Sequence, residues 1–285
     1  MSIIIDKLNH VYTDGGAIEN YALRDINLKI EDGEMIGIIG HTGSGKSTLI
    51  QHLNGLLKPT SGTIYYNGED IQEKDYNRKN LRTRVGLVFQ NPEYQLFEST
   101  VIKDVKFGPI NKGLESLQVD LCAFDALQQV GITEDLLDAS PMELSGGQKR
   151  KVAIAGILAM KPEVMILDEP TAGLDPKGRK EILELIKKLH QDNNMTVIIV
   201  SHSMEDMADY VERLIVLKQG EIFADGTPME VFQRYEELEE IGLSAPQMVY
   251  VLNGLKKRGY PVSAKGVTVE DAKAEILSLF RGKEV

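Results

Sequence analysis

The chain of 285 residues contains one cysteine, Cys122, so no disulfide can form within it, and a lone thiol suits a reducing compartment. Long hydrophobic runs are missing too. The longest, Val152 to Met160, is about nine residues even with Gly156 counted, whereas a membrane-spanning helix needs roughly 18 or more. The apolar stretch Ile3-Ile4-Ile5 is too short for a signal peptide, which makes the cytoplasm the expected compartment. Positive charge is scarce: 32 Lys and Arg against 43 Asp and Glu leave a net charge of −11 and a pI near 5.1. Binding to a nucleic-acid backbone is driven by cationic surface, so an autonomous nucleic-acid binder is disfavoured. The densest basic stretch, Lys74, Arg78, Lys79, Arg82 and Arg84, reads either as a solvated face or as a contact surface for a partner or anionic headgroups. Internal repeats, low-complexity tracts and heptad runs do not occur. The scattered histidines and Cys122 show no zinc-ligand spacing, and Cys122, beside Leu121 and Phe124, reads as packing rather than as a reactive thiol.

What is present is an ordinary globular composition, 42% hydrophobic and 26% charged, long enough for one large domain or two modest ones with a self-sufficient core. Tyr21 to Ile30 alternates apolar and polar residues, and Thr63 to Tyr66 runs into the turn pair Asn67-Gly68. Both predict antiparallel strands with one solvated face. Met35 to Ile39, Val164 to Leu167 and Val197 to Val200 are instead continuous apolar runs, as in parallel strands covered on both faces. Between them lie helical patterns, such as the stripe Ile182, Leu185, Ile186 and Leu189. Residues from about 93 to 160 carry no clear strand and are expected to form an inserted helical lobe. The segment 233–285 reads as a small helical extension, with helix starts at Ser244 and Thr268 and a stop at Gly259.

Three strand ends carry chemistry. The first is followed by Gly40-His41-Thr42-Gly43-Ser44-Gly45-Lys46-Ser47-Thr48, which fits G-x-x-x-x-G-K-[ST]. Glycines let successive N–H groups turn towards phosphate oxygens, with a helix N-terminus behind them; Lys46 can reach the β- and γ-phosphates and Ser47 can ligate Mg²⁺. The second ends in Asp168-Glu169. Asp168 can hold the hydration shell of Mg²⁺ and Glu169 can accept a proton from an attacking water, although paired acids also cap turns. The third is followed by His202, which alone would read as a surface histidine. Three strand ends delivering a phosphate loop, a carboxylate pair and an imidazole to one sheet edge point to a nucleotide site. Leu144-Ser145-Gly146-Gly147-Gln148, with Ser145 as N-cap, opens a further helix and offers a second anion-receptive terminus. Two such elements on different lobes suggest one nucleotide gripped by two chains, head to tail.

In this order, the loop at 40–48, Gln90, Leu144–Gln148, Asp168-Glu169, Gly173-Leu-Asp175 and His202 resemble the ATP-binding-cassette ATPases over about residues 1–232. The resemblance implies an α/β fold: a P-loop ATPase core with a mostly parallel sheet, an N-terminal antiparallel β subdomain, the inserted helical subdomain and the C-terminal extension. It also implies ATP and Mg²⁺ as ligands. By that resemblance Gln90 ligates Mg²⁺ and senses a transmembrane partner, His202 contacts the γ-phosphate, Asp175 communicates across a dimer and Tyr12 stacks on adenine. Core packing is the other reading of Tyr12. The segment Asn91-Pro-Glu-Tyr94-Gln-Leu96-Phe97, with Phe107-Gly-Pro109, is most similar to the energy-coupling-factor transporter ATPases, in particular to the second of their paired ATPase subunits.

That narrower resemblance implies a peripheral subunit at the cytoplasmic face of the cell membrane, driving uptake of a vitamin or a transition-metal ion. The implied partners are a second ATPase subunit (a paralogue, giving a heterodimer), a transmembrane scaffold and a substrate-binding membrane protein. Tyr94, Leu96 and Phe97 then read as docking residues, with burial in the chain's own core as the alternative. The stripe Val269, Ala272, Ile276 and Phe280 reads either as a pairing surface or as packing on the cassette. A soluble cassette ATPase acting on nucleic acid or ribosomes is the competing function. The single cassette, the acidic pI and the missing coiled-coil arms count against it.

Overall fold

A computed structural model describes residues 3–13, 19–91 and 94–281; Pro92 and Glu93, part of the segment singled out above, lie outside the described residues. Two sheets organise the chain. Strands β1 (Ile3–Thr13), β2 (Glu19–Ile30), β4 (Ser61–Tyr66) and β5 (Glu69–Asp70) form an antiparallel sheet in the order β2-β1-β4-β5. The expected hairpin at Asn67-Gly68 is there: both residues have positive φ, 54° and 82°, as a two-residue type I′ turn requires.

The second sheet has the order β10-β9-β3-β8-β7-β6. Its strands are β3 (Met35–Gly40), β6 (Val85–Val88), β7 (Val164–Asp168), β8 (Thr196–Val200), β9 (Arg213–Lys218) and β10 (Glu221–Gly226). All pair in parallel except β10, which returns antiparallel beside β9. β3, β6 and β8 are buried along their whole length, as their unbroken apolar runs demand. One buried cluster lies between this sheet, the antiparallel sheet and α1 (Lys46–Leu53), with Ile36, Ile38, Leu49 and Ile166 among its members. The opposite face is covered mainly by α5 (Gly146–Leu158), α6 (Pro176–Asn193) and α7 (Met204–Tyr210). On α6 the inward stripe is Ile182, Leu183, Ile186 and Leu189, with Leu185 half-buried at its edge.

A short helix, α2 (Arg78–Arg84), leads into β6. Between β6 and β7, which are neighbours in the sheet, the chain makes α3 (Val101–Lys112), α4 (Ser116–Gln129) and then α5; no strand occurs there among the described residues. After β10 come α8 (Pro228–Phe232), α9 (Tyr235–Glu240), α10 (Gln247–Lys257) and α11 (Val269–Arg281). α10 begins after Pro246 rather than at Ser244, because the Pro246 ring disfavours the helical conformation at the preceding Ala245, leaving Pro246 as the N-cap. α11 starts where expected, with Thr268 Oγ1 accepting from the Asp271 N–H and Asp271 Oδ2 accepting from the Thr268 N–H.

The extension shares the cassette's core. Leu238, Leu243, Ala245, Val249 and Val267 are buried in the same cluster as Leu183 and Val216, while Leu252, Ala264 and Ala272 form a small satellite. Within the expected stripe on α11, Ala272 and Ile276 pack inwards, whereas Val269 and Phe280 are exposed.

Candidate nucleotide site

The loop that leaves β3 closes directly onto the N-terminus of α1. Gly45 caps that helix at φ 104°, and a Cβ there would lie 2.4 Å from the Ala22 carbonyl oxygen, so neither the conformation nor the space admits a side chain. The first turn of α1 carries no acidic residue, leaving its positive end to an anion. Lys46 extends back over the loop, its Nζ donating to the carbonyls of Gly40 (2.7 Å) and His41 (3.1 Å). Burial lowers the Lys46 pKa, and the nearby Glu169 and Asp168 carboxylates oppose that shift. The loop's only ammonium is thus held at the phosphate position by the loop itself.

Asp168 ends β7, and its Oδ2 accepts from the Ser47 hydroxyl at 3.4 Å. Burial raises the Asp168 pKa, opposed by the Ser47 hydrogen bond and the Lys46 charge. Glu169 has a left-handed backbone (φ 49°), a conformation costing about 1–3 kcal/mol for a non-glycine residue. Its N–H is anchored to the Val200 carbonyl of β8 (2.9 Å), so the strained turn is held by the sheet. The side chain is almost fully buried, and desolvation pushes its pKa up to about 7. His202 Nε2 stands 3.3 Å from Glu169 Oε1; burial and the Lys46 charge lower the His202 pKa, keeping the imidazole neutral at pH 7. A carboxylate poised near neutrality beside a neutral imidazole is suited to taking a proton from water.

These groups line one cleft of about 410 Å³ together with Tyr12, Thr42, Gly43, Thr48 and Gln90. Ser47, Asp168 and Gln90 supply oxygen donors of the kind Mg²⁺ prefers, few enough for water and phosphate oxygens to complete an octahedron. Gln90 follows β6, where Gln95 braces the chain by accepting from the Phe89 N–H (3.1 Å) and donating to the Leu87 carbonyl (3.4 Å). Tyr12 is 42% exposed with its hydroxyl 3.3 Å from Thr48 Oγ1, so it faces the cleft instead of being core. Tyr21 and Ala22 also line the cleft. Sequence reasoning passed over them because their alternation marks only a strand.

Ser145, Gly146, Gly147 and Gln148 do not line this cleft. They open α5 with a reciprocal cap: Ser145 Oγ accepts from the Gln148 N–H (3.3 Å) and Gln148 Oε1 from the Ser145 N–H (2.9 Å). A Cβ at Gly146 or Gly147 would meet nothing within 4 Å, and neither has positive φ. Nothing among the described residues requires glycine at either position. Buried Arg150, one turn on, donates to the Ala172 carbonyl (2.9 Å) and ties this helix to the turn after Glu169. Asp175 caps α6 by accepting from the Gly178 N–H (2.7 Å).

The expected docking residues divide. Tyr94 and Phe97 are exposed (85% and 60%), but Leu96 is 4% exposed and belongs to the main core cluster. Leu96 is therefore a core residue rather than an exposed anchor: the turn that presents its neighbours directs its side chain inward, and the little surface it keeps lines the groove beside Phe97. Phe97 packs edge-on against Phe107, with centroids 4.8 Å apart, at a largely apolar groove of about 500 Å³ whose lining includes Gly108, Gly156 and Met160. Asp104 on α3 pins this segment by accepting from the N–H groups of Phe97 (2.9 Å) and Glu98 (2.8 Å). A buried carboxylate facing two backbone donors was not legible from spacing alone.

Residues 23–172 match the ABC transporter family. The chain is 55% identical over 282 residues to the energy-coupling factor transporter ATP-binding protein EcfA2 of Caldanaerobacter subterraneus subsp. tengcongensis, covering 99% of each. The protein of the same name from Bacillus subtilis is 52% identical over 269 residues, covering 93% of this chain and 98% of that one. Among solved structures, cbiO1 of Clostridium perfringens, part of the ABC transporter complex cbiONQ, superposes with a TM-score of 0.73 at 41% identity, covering 84% of this chain and 93% of that one. The dimeric cassette MJ0796 in a post-hydrolysis state with ADP and Pi gives 0.70 at 31% identity, covering 79% and 98%.

Proposed function

The chain belongs to the ABC transporter ATPases, among the ATP-binding proteins of energy-coupling-factor transporters, and on that premise we propose how its residues couple ATP hydrolysis to the uptake of a vitamin or a transition-metal ion. The observation that carries this reading is the convergence of Lys46, Ser47, Gln90, Asp168, Glu169 and His202 on one cleft, with the glycines of Gly146-Gly147 left open elsewhere on the chain. ATP lies with its adenine on Tyr12 and its phosphates against the N–H groups of Gly43 to Thr48. Lys46 exchanges its carbonyl contacts for the β- and γ-phosphates. Mg²⁺, held by Ser47, Gln90 and Asp168, would supply charge neutralisation at the phosphate oxygens. Glu169 accepts the proton of a water aligned with the γ-phosphate, and His202 donates from Nε2 to a γ-phosphate oxygen.

A second ATPase subunit, which we take to be a paralogue, completes each cleft. The Ser145 hydroxyl and the N–H groups of Gly146 and Gly147 reach the γ-phosphate held by the partner, while Gln148 keeps the helix cap in shape. The open space over both glycines supports such a close approach. Asp175, at the start of α6, lies where the two chains communicate. Tyr94 and Phe97 receive a helix of the transmembrane scaffold at the groove beside Phe107. Gln95 and Asp104 hold the intervening chain at both ends, so movement of Gln90 is passed to that groove. The subunit sits peripherally at the cytoplasmic face of the membrane; no helix among the described residues is long and apolar enough to cross it. Residues 1–232 act as the cassette, and the extension braces it and contributes to pairing through its exposed Val269 and Phe280.

Affinity purification of the tagged chain from native membranes tests this assignment. We expect a second ATPase subunit, a transmembrane scaffold and a substrate-binding membrane protein in the complex. Recovery of the chain with ribosomes or nucleic acid, and without membrane proteins, would overturn it.

A further inference from the structure

Two buried histidines stand behind the adenine face of the cleft, and the hydrolysis chemistry uses neither. His10 lies two residues before Tyr12 on β1, and its ring meets the Tyr12 ring edge to face, with centroids 4.5 Å apart and planes at 77°. On its other side His10 meets His52 of α1 in the same manner, at 4.6 Å and 72°. His52 Nδ1 donates to the Thr48 carbonyl at 2.7 Å, and the Thr48 hydroxyl lies 3.3 Å from the Tyr12 hydroxyl. The four residues therefore form a closed circuit, Tyr12–His10–His52–Thr48, joining the antiparallel sheet to the phosphate-loop helix.

Burial differs sharply around this circuit. His52 is 0% and His10 8% exposed, whereas Tyr12 is 42% exposed. Tyr12 therefore has solvent on one side and a fixed aromatic wall on the other. Burial lowers the His52 pKa, keeping it a neutral ring at physiological pH. An aromatic platform binds a base best when its rotamer is already the bound one, since ordering a free side chain on binding costs affinity. The Thr48 contact holds only the hydroxyl tip; the ring plane needs a second contact, and His10 supplies it.

We propose that His10 is a positioning residue for nucleotide binding: backed by His52, it holds the Tyr12 ring in the orientation that stacks on adenine. This rests on the reading of Tyr12 as the adenine platform. It predicts that His10 influences the base half of the ligand and leaves the phosphate half alone.

The test is a double-mutant cycle on the full chain, titrating ATP and, as a probe without a base, inorganic tripolyphosphate. Tyr12→Ala should weaken ATP by about 5- to 100-fold, the range of a lost base–aromatic stack, with tripolyphosphate unchanged. His10→Ala should weaken ATP by about 3- to 10-fold, again sparing tripolyphosphate, and should add less than about twofold in the Tyr12→Ala background. His10→Phe, which keeps an aromatic edge, should restore ATP affinity to within about twofold of wild type. The proposal is overturned if His10→Ala leaves ATP affinity unchanged, keeps its full effect without Tyr12, or weakens tripolyphosphate equally; the last result would make His10 a brace of the loop. If Tyr12→Ala itself leaves ATP binding unchanged, the adenine-platform reading fails and the proposal falls with it. A normal Tyr12 effect with a silent His10→Ala defeats the proposal alone.

Discussion

Glu169 is held as a carboxylate in a site that favours its neutral form, and that conflict is measurable as stability. Its pKa rises from 4.5 to about 7, first through desolvation. Between those two values the folded chain binds more protons at this site than the unfolded chain does, so stability falls as pH rises and the loss is complete above about pH 7. At 1.36 kcal/mol per pH unit the full difference is about 3 kcal/mol. The carboxyl is buried but lines a cleft open to water, and screening through that cleft reduces the figure to about 1–2 kcal/mol. Glu169→Gln has nearly the same shape and cannot ionise, so it escapes the loss. Without nucleotide, the melting temperature of Glu169→Gln minus that of wild type should be about 2–8 °C at pH 8 and only about a quarter of that at pH 5, at about 2–4 °C per kcal/mol for a chain of this size. Differential scanning fluorimetry of both proteins from pH 5 to 8 measures it. A difference that stays constant with pH, or a wild type that gains on the variant at pH 8, would refute the assigned environment of Glu169.

Other substitutions separate the remaining roles. Lys46→Ala should abolish measurable ATP binding at micromolar concentrations with an unchanged circular-dichroism spectrum, since no other lysine stands in the loop. Gly146→Ala meets no neighbour and should leave the isolated chain's melting temperature and ATP affinity unchanged, yet lower hydrolysis in the assembled complex; a normal rate there would remove Gly146 from the shared site. Leu96→Asp should lower the chain's own melting temperature by burying a charge. Tyr94→Ala, at an exposed position, should change stability by less than about 0.5 kcal/mol while reducing co-purification of the transmembrane scaffold.

Much of the candidate site was legible because three of its parts follow strands whose unbroken apolar runs betray burial on both faces. Once Met35–Ile39, Val164–Leu167 and Val197–Val200 are placed in one parallel sheet, Lys46, Asp168-Glu169 and His202 must share its edge, and they do. What escaped depends on directions that residue types do not encode. The left-handed backbone of Glu169 arises at a position with no glycine or asparagine to signal it. Leu96 lies between two exposed aromatics in an irregular turn, where no period of 2 or 3.6 shows which side chain faces in. The extension offered a helical stripe, but only Ala272 and Ile276 of it pack inwards, on Met248, Leu252 and Ala264 of the extension itself, while Val269 and Phe280 stay exposed.

Phosphate release by the complex purified from membranes, wild type against Glu169→Gln, bears most directly on the claim that this chain hydrolyses ATP through its own cleft to drive a membrane transporter. On the proposed head-to-tail pairing each cleft is completed by the other subunit, so failure to hydrolyse in one keeps the pair clamped and stalls the other. We expect release to fall by about 10²-fold or more while ATP stays bound; turnover at the wild-type rate with Glu169 replaced would contradict the account.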